Sequence, residues 1–113
     1  MDEGKTTIAP EVLTTIARLT ALAVPGVSRM CIDPPGMSRI FQRNYMEGVR
    51  IEVKDNQVYL DLYVVLQKDV NMREVSRNIQ QQVARAIEEM VGMQVGFVNI
   101  HIEDIDYEQE NEA

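Results

Sequence analysis

Only one histidine, His101, and one cysteine, Cys31, occur among the 113 residues, so the usual agents of nucleophilic and metal chemistry are scarce. Nucleophilic catalysis needs a serine or cysteine beside a base. His101 alternates with Ile100 and Ile102, which sets its imidazole on the surface of a strand, away from any nucleophile in sequence. Cys31 precedes Asp33 and a Pro34-Pro35 step, without the positive neighbours that make a thiolate reactive. A lone cysteine closes no intrachain disulfide and builds no multi-cysteine zinc site. No single element carries a metal motif of His, Cys or clustered carboxylates. The six glycines form neither a phosphate-cradling loop nor a GxxG clamp. The expectation is a protein that is not an enzyme and has no cofactor, bound metal or small-molecule substrate.

Two surfaces remain that could recognise a partner. The first is one face of a sheet, predicted to show Tyr59, Asp61, Tyr63 and Val65 from one strand and Phe97, Asn99 and His101 from another. Aromatics make up only 5% of the chain, so their gathering on one face is informative. The rings either pack against one another across the strands or form a protein contact; stacked RNA bases fit less well, because Arg50 and Lys54 are offset by Glu52, Asp61 and Glu103. The second surface is the connection from Ile32 to Glu47, where Met37, Ile40 and Phe41 are apolar and Arg39 and Arg43 are basic.

These residues need elements to hold them. Thr6-Thr7-Ile8 suggests a short strand, followed by a helix opened by Pro10, whose missing N–H costs nothing at a first turn. Val12, Ile16, Leu19 and Ala23 form its expected inward stripe, flanked by Leu13 and Ala17, and Pro25-Gly26 stops it. A short extended piece, Val27 to Met30, precedes the long connection. Val49, Ile51 and Val53 alternate with charged residues, and Val58, Leu60, Leu62, Val64 and Leu66 repeat the period after Asp55-Asn56. Both turn residues tolerate positive φ, so this is a hairpin. Asn71, with Glu74 three residues on, starts a second helix whose expected inward face is Met72, Val75, Ile79, Val83, Ala86 and Met90; Gly92 closes it. A last strand turns Val98, Ile100 and Ile102 inward. The fold class is α+β: a small mixed sheet with two amphipathic helices on one face, in the order β-α-β-β-α-β.

Length and composition fit one domain, expected over residues 1–105, with 106–113 as an acidic tail. Hydrophobic residues at 45% and charged residues at 26% exclude a wholly disordered chain. The net charge of -7 is concentrated at one end: six acids and no base follow Ile102, leaving a nearly neutral remainder. Such a body lacks the basic footprint of a strong nucleic-acid binder. The start, Met-Asp-Glu-Gly-Lys, is unlike a signal peptide, and no apolar run is long enough to span a bilayer, so the expected location is the cytoplasm.

Three blocks carry a family resemblance. They are Thr7-Ile8-Ala9-Pro10-Glu11-Val12 through Val24-Pro25-Gly26-Val27; Gly48 to Val53 with Val58 to Val65; and Val75 to Gly92 continuing into Val98-Asn99-Ile100-His101-Ile102. In order and spacing the chain resembles the alkaline shock protein family of Gram-positive-type bacteria, also described as envelope stress response proteins. The resemblance implies a non-catalytic protein of cell-envelope homeostasis, peripheral at the inner face of the membrane. Its partners would be itself or a membrane-anchored relative, with only indirect membrane contact, and nucleic acid is not expected. The expected contacts are Tyr59, Tyr63, Val65, Phe97, His101, Arg39, Phe41 and Arg43. The alternative is a KH-like nucleic-acid-binding or regulatory module, whose binding would weaken steeply with salt.

Overall fold

Local signals set most element boundaries. The computed structural model describes residues 4–32 and 45–107. Helix α1 spans Pro10–Ala23 with proline in its first turn, and the Val24 N–H bonds the Ala21 carbonyl at its end. Helix α2 spans Met72–Val91; Asn71 Oδ1 accepts the Glu74 N–H at 3.0 Å, and Gly92 closes the helix at φ 82°. Five strands follow in chain order as β1 (Val27–Met30), β2 (Tyr45–Met46), β3 (Val49–Lys54), β4 (Gln57–Gln67) and β5 (Gln94–Asp106). Asp55 and Asn56 both sit at positive φ between β3 and β4, as the two-residue hairpin requires, and Glu47-Gly48 repeats that geometry between β2 and β3.

Strand β4 is the centre of a mixed sheet. β5 runs parallel along one edge for its whole length, from Gln57 opposite Gln94 to Gln67 opposite Asp106. The other edge is shared: antiparallel β3 takes Gln57 to Leu62, and antiparallel β1 takes Val64 to Leu66. Val58, Leu60, Leu62, Val64 and Leu66 point to one face and are fully buried beneath both helices. This is the expected two-layer α+β architecture, with α2 as the crossover that a parallel pair demands.

Gly26 shows how tightly the layers meet. Its φ is +101°, and a Cβ there would lie 2.7 Å from Cγ2 of Val75 on α2. Only glycine fits a backbone both left-handed and pressed against a helix.

Five expectations change. Thr6 to Ile8 form no strand. Tyr45 and Met46, placed in the long connection, form β2. On α1 the buried stripe is Leu13, Thr14, Ala17 and Ala21, while Val12 is 47% and Leu19 56% exposed. Small alanines let α1 approach α2 and the sheet closely, and the bulkier stripe is left outside. On α2 the stripe ends at Ile87, and Met72 and Met90 are exposed: steps of four from Val75 stay over the sheet, whereas Met90 rotates away. Asp106, read as the first residue of the acidic tail, is the last of β5 and accepts a hydrogen bond from Ser28 Oγ at 2.7 Å.

Candidate functional site

The sheet face opposite the helices has no element covering it among the described residues. Alternation along β4 and β5 places Tyr59, Asp61 and Tyr63 beside Phe97, Asn99 and His101, in the register Tyr59↔Phe97, Asp61↔Asn99, Tyr63↔His101. That register depends on two bulges. Val58 pairs with Val95 but Tyr59 with Phe97, leaving Gly96 extra; Val64 pairs with Ile102 but Val65 with Asp104, leaving Glu103 extra. Each bulge resets the alternation, so that Val95, Val98, Ile102 and Ile105 all turn toward the helices.

At one end the Tyr59 ring lies over the bulge. A Cβ on Gly96 would come within 2.1 Å of Tyr59 Cε1, so the ring occupies the space that a side chain would take. Tyr59 and Phe97 pack with centroids 4.9 Å apart and planes tilted by 51°. The Tyr59 hydroxyl donates to Gln57 Oε1 at 2.9 Å, and Phe97 stays 46% exposed.

The middle is organised by Asp61. Its Oδ2 accepts from Arg50 Nη1 at 3.2 Å; its Oδ1 accepts from Asn99 Nδ2 at 3.2 Å and lies 2.8 Å from His101 Nε2. An ionised carboxylate only accepts, so Nε2 carries the proton of that contact. Asp61 comes from β4, Arg50 from β3, and Asn99 and His101 from β5. The Tyr63 ring stacks on His101 at 4.5 Å and 12°, and Tyr45 meets Tyr63 edge-on at 5.6 Å. The Tyr45 hydroxyl donates to the Cys31 carbonyl, tying β2 to the end of β1. Burial, the Asp61 carboxylate and Glu103 raise the Tyr63 phenol pKa above its ordinary value, with Arg50 opposing them.

With three donors on Asp61 and a phenol held neutral, this face is arranged for packing and hydrogen bonding. Among the described residues no group of three or more His, Cys, Asp or Glu gathers to hold a metal ion. An open cleft lies between the start of α1 and β2–β3, lined by Pro10, Glu11, Thr14, Tyr45, Ile51 and Glu52. No described helix is long and apolar enough to cross a membrane.

Of the residues expected to form the contact surface, Tyr59, Tyr63, Phe97 and His101 share this face. Val65 does not contribute: it is 2% exposed. It lies directly between Arg29 of β1 and Asp104 of β5, whose side chains flank it on the same face. Arg39, Phe41 and Arg43 lie outside the described residues. Sequence reasoning missed Tyr45 and the central part played by Asp61. The Gly96 bulge did have a signal, since Val95 and Val98, both inward, stand three apart where an unbroken strand gives two.

Known proteins match along nearly the whole chain. An uncharacterized protein of Streptococcus pyogenes serotype M6, Spy1535, is 34% identical over 104 residues, covering 90% of this chain and 79% of its own. The uncharacterized YqhY of Bacillus subtilis strain 168 is 29% identical over 107 residues, covering 93% of this chain and 79% of its own. Among solved structures, MamM-CTD superposes with a TM-score of 0.55 at 12% identity, over 87% of this chain and all of that one, a likeness of fold alone. Residues 1–107 match the alkaline shock protein 23 (ASP23) family, so the chain belongs to that family, whose function is cell envelope-related.

Proposed function

We propose that this protein is a non-catalytic interaction protein of the cell envelope, cytoplasmic and peripheral to the membrane. It acts by self-association or by docking to a membrane-anchored partner through the open face of its sheet. The observation that supports this most is the exposed Phe97, held against Tyr59 on a face that no described element covers. Rings fixed by neighbours offer contact area at little entropic cost, and such residues anchor interfaces. Arg50 is engaged by Asp61, which removes a cation from the face and weighs against the nucleic-acid alternative.

Replacing Tyr59 and Phe97 together by threonine tests the face, because threonine is β-branched, favours strands and adds no charge. Light scattering after size exclusion, over a tenfold range of concentration, is expected to show an oligomer that the double variant loses while its circular dichroism stays native. If the parent chain is monomeric, the same pair is compared for co-sedimentation with native membranes before and after protease treatment of their surface. Equal behaviour of parent and variant in both assays sinks the sheet face as the site.

A further inference from the structure

Among the described residues β4 is paired on both edges but β5 on only one, which leaves a strand of 13 residues at the margin of the sheet. Alternation fixes which of its backbone groups face outward. The Tyr63 N–H bonds the Gly48 carbonyl at 2.9 Å and its carbonyl takes the Cys31 N–H at 2.8 Å, so Tyr63, Asp61 and Tyr59 aim their main-chain groups at β3 and β1. Leu60 and Leu62 then face β5. In a parallel ladder a residue bonds the two neighbours of its opposite number, so Leu60, opposite Val98, engages Phe97 and Asn99. Val98, Ile100 and Ile102 therefore turn their N–H and C=O groups outward. Independently, Gln80 Nε2 on α2 reaches the Val98 carbonyl at 2.9 Å from outside the ladder.

The edge is not uniform. Bulges at Gly96 and Glu103 interrupt it, and both features blunt edges in natural sheets, as do charges. Between them Phe97 to Ile102 is regular and holds no Asp, Glu, Lys or Arg. The acids Glu103, Asp104 and Asp106 all follow it, and Gln94 to Phe97 before it are uncharged.

We propose that a second copy of this chain pairs antiparallel with the β5 edge, about a two-fold axis through Ile100. The proposal rests on the self-association branch of the reading above and adds to the open face a second contact, at the edge of the sheet. In this register Ile100 exchanges both hydrogen bonds with its own copy, and Val98 faces Ile102, so the outward groups meet outward groups. Asn99 faces His101. The acidic end of each copy lies beside the uncharged Gln94–Phe97 end of the other, and no like charges are opposed. Moving the axis to Val98 sets Ile100 against the Gly96 bulge; moving it to Ile102 sets Ile100 against Asp104 and draws the acids together. A parallel mate stacks acid on acid. The Val98 carbonyl, with a second lone pair, accepts a strand N–H beside Gln80. The product is one continuous sheet on which both open faces lie side by side.

Amide hydrogen exchange by NMR, read with the molecular mass over a tenfold concentration range, tests the mode. As the mass rises to that of a dimer, the Val98, Ile100 and Ile102 amides are expected to slow by about tenfold or more, while exposed amides of the helices do not. Ile100→Pro removes one outward N–H and leaves the β4–β5 ladder its own bonds, as proline on an edge strand does. It is expected to give a monomer with native circular dichroism. If that variant loses its fold, exchange in the parent chain decides. A dimer whose three amides exchange at the monomer rate overturns the proposal, as does an Ile100→Pro variant that dimerises like the parent, or a chain that stays monomeric throughout. The Tyr59 and Phe97 double variant fails separately: it removes rings from the face and leaves the edge amides in place.

Discussion

Asp61 and Tyr63 determine the electrostatics of the open face. One carboxylate holds a guanidinium, a carboxamide and an imidazole from two other strands, and the phenol stacked on that imidazole carries the consequence. Burial first, then the Asp61 and Glu103 carboxylates, raise the Tyr63 pKa above its ordinary 10.0, against the pull of Arg50. A raised pKa means that the fold favours the neutral phenol. The stability this provides is fully present below the ordinary value and is lost as pH rises through the folded one. An alkaline titration followed by tyrosinate absorbance, with Tyr63→Phe subtracted, is expected to place Tyr63 above free tyrosine. Asp61→Asn should bring it down, since it removes one raising charge and releases the opposing Arg50. Titration of Tyr63 at or below the free value contradicts this account.

At the scale of elements, periodicity located both helices but mis-set their rotation. Each helix carries more apolar residues than its buried face can take, and the choice among them depends on what lies beneath. On α2 the covered set is Val75, Ile79, Val83 and Ile87, with Met90 70% exposed. Ile87→Ala is expected to cost about 2–5 kcal/mol, through lost transfer free energy and the cavity left behind. Met90→Ala is expected to stay within about 0.5 kcal/mol, as exposed positions do. Urea denaturation of the two variants separates the assignments, and equal costs would return Met90 to the core. The caps were legible because they are local: Asn71 with Glu74, and Gly92, act within one turn.

For the whole molecule, the question is how a chain of net charge -7 meets another copy of itself. Both surfaces proposed for contact, the aromatic face and the regular segment of the β5 edge, avoid bringing acids together. Long-range repulsion between the two bodies persists, and salt screens it over about 10 Å at 0.1 M. Association measured by sedimentation equilibrium is therefore expected to tighten as salt rises from low to physiological strength. Weakening with salt would point instead to contacts made by ion pairs. The central position of β4 adds a constraint. Both its edges are engaged, so a partner strand can enter the sheet only at its margins, where β5 is the longest strand.

What the sequence determined by itself was whatever neighbouring residues decide. The hairpin at Asp55-Asn56, the caps of α2, the alternation of β4 and the two-layer class follow from positive φ, side chain-to-backbone bonds and apolar period, all acting over a few residues. The tertiary structure alone decided which stripe of α1 is covered, that Val65 is enclosed between Arg29 and Asp104, and that one edge of β4 is divided between β3 and β1. It also assembled the network on Asp61, whose β5 partners stand 38 and 40 residues away. The physical reason is the same in each case. Burial and pairing at these positions are set by chain segments that become neighbours only when the sheet closes, and period along one segment does not record which other segment will lie against it.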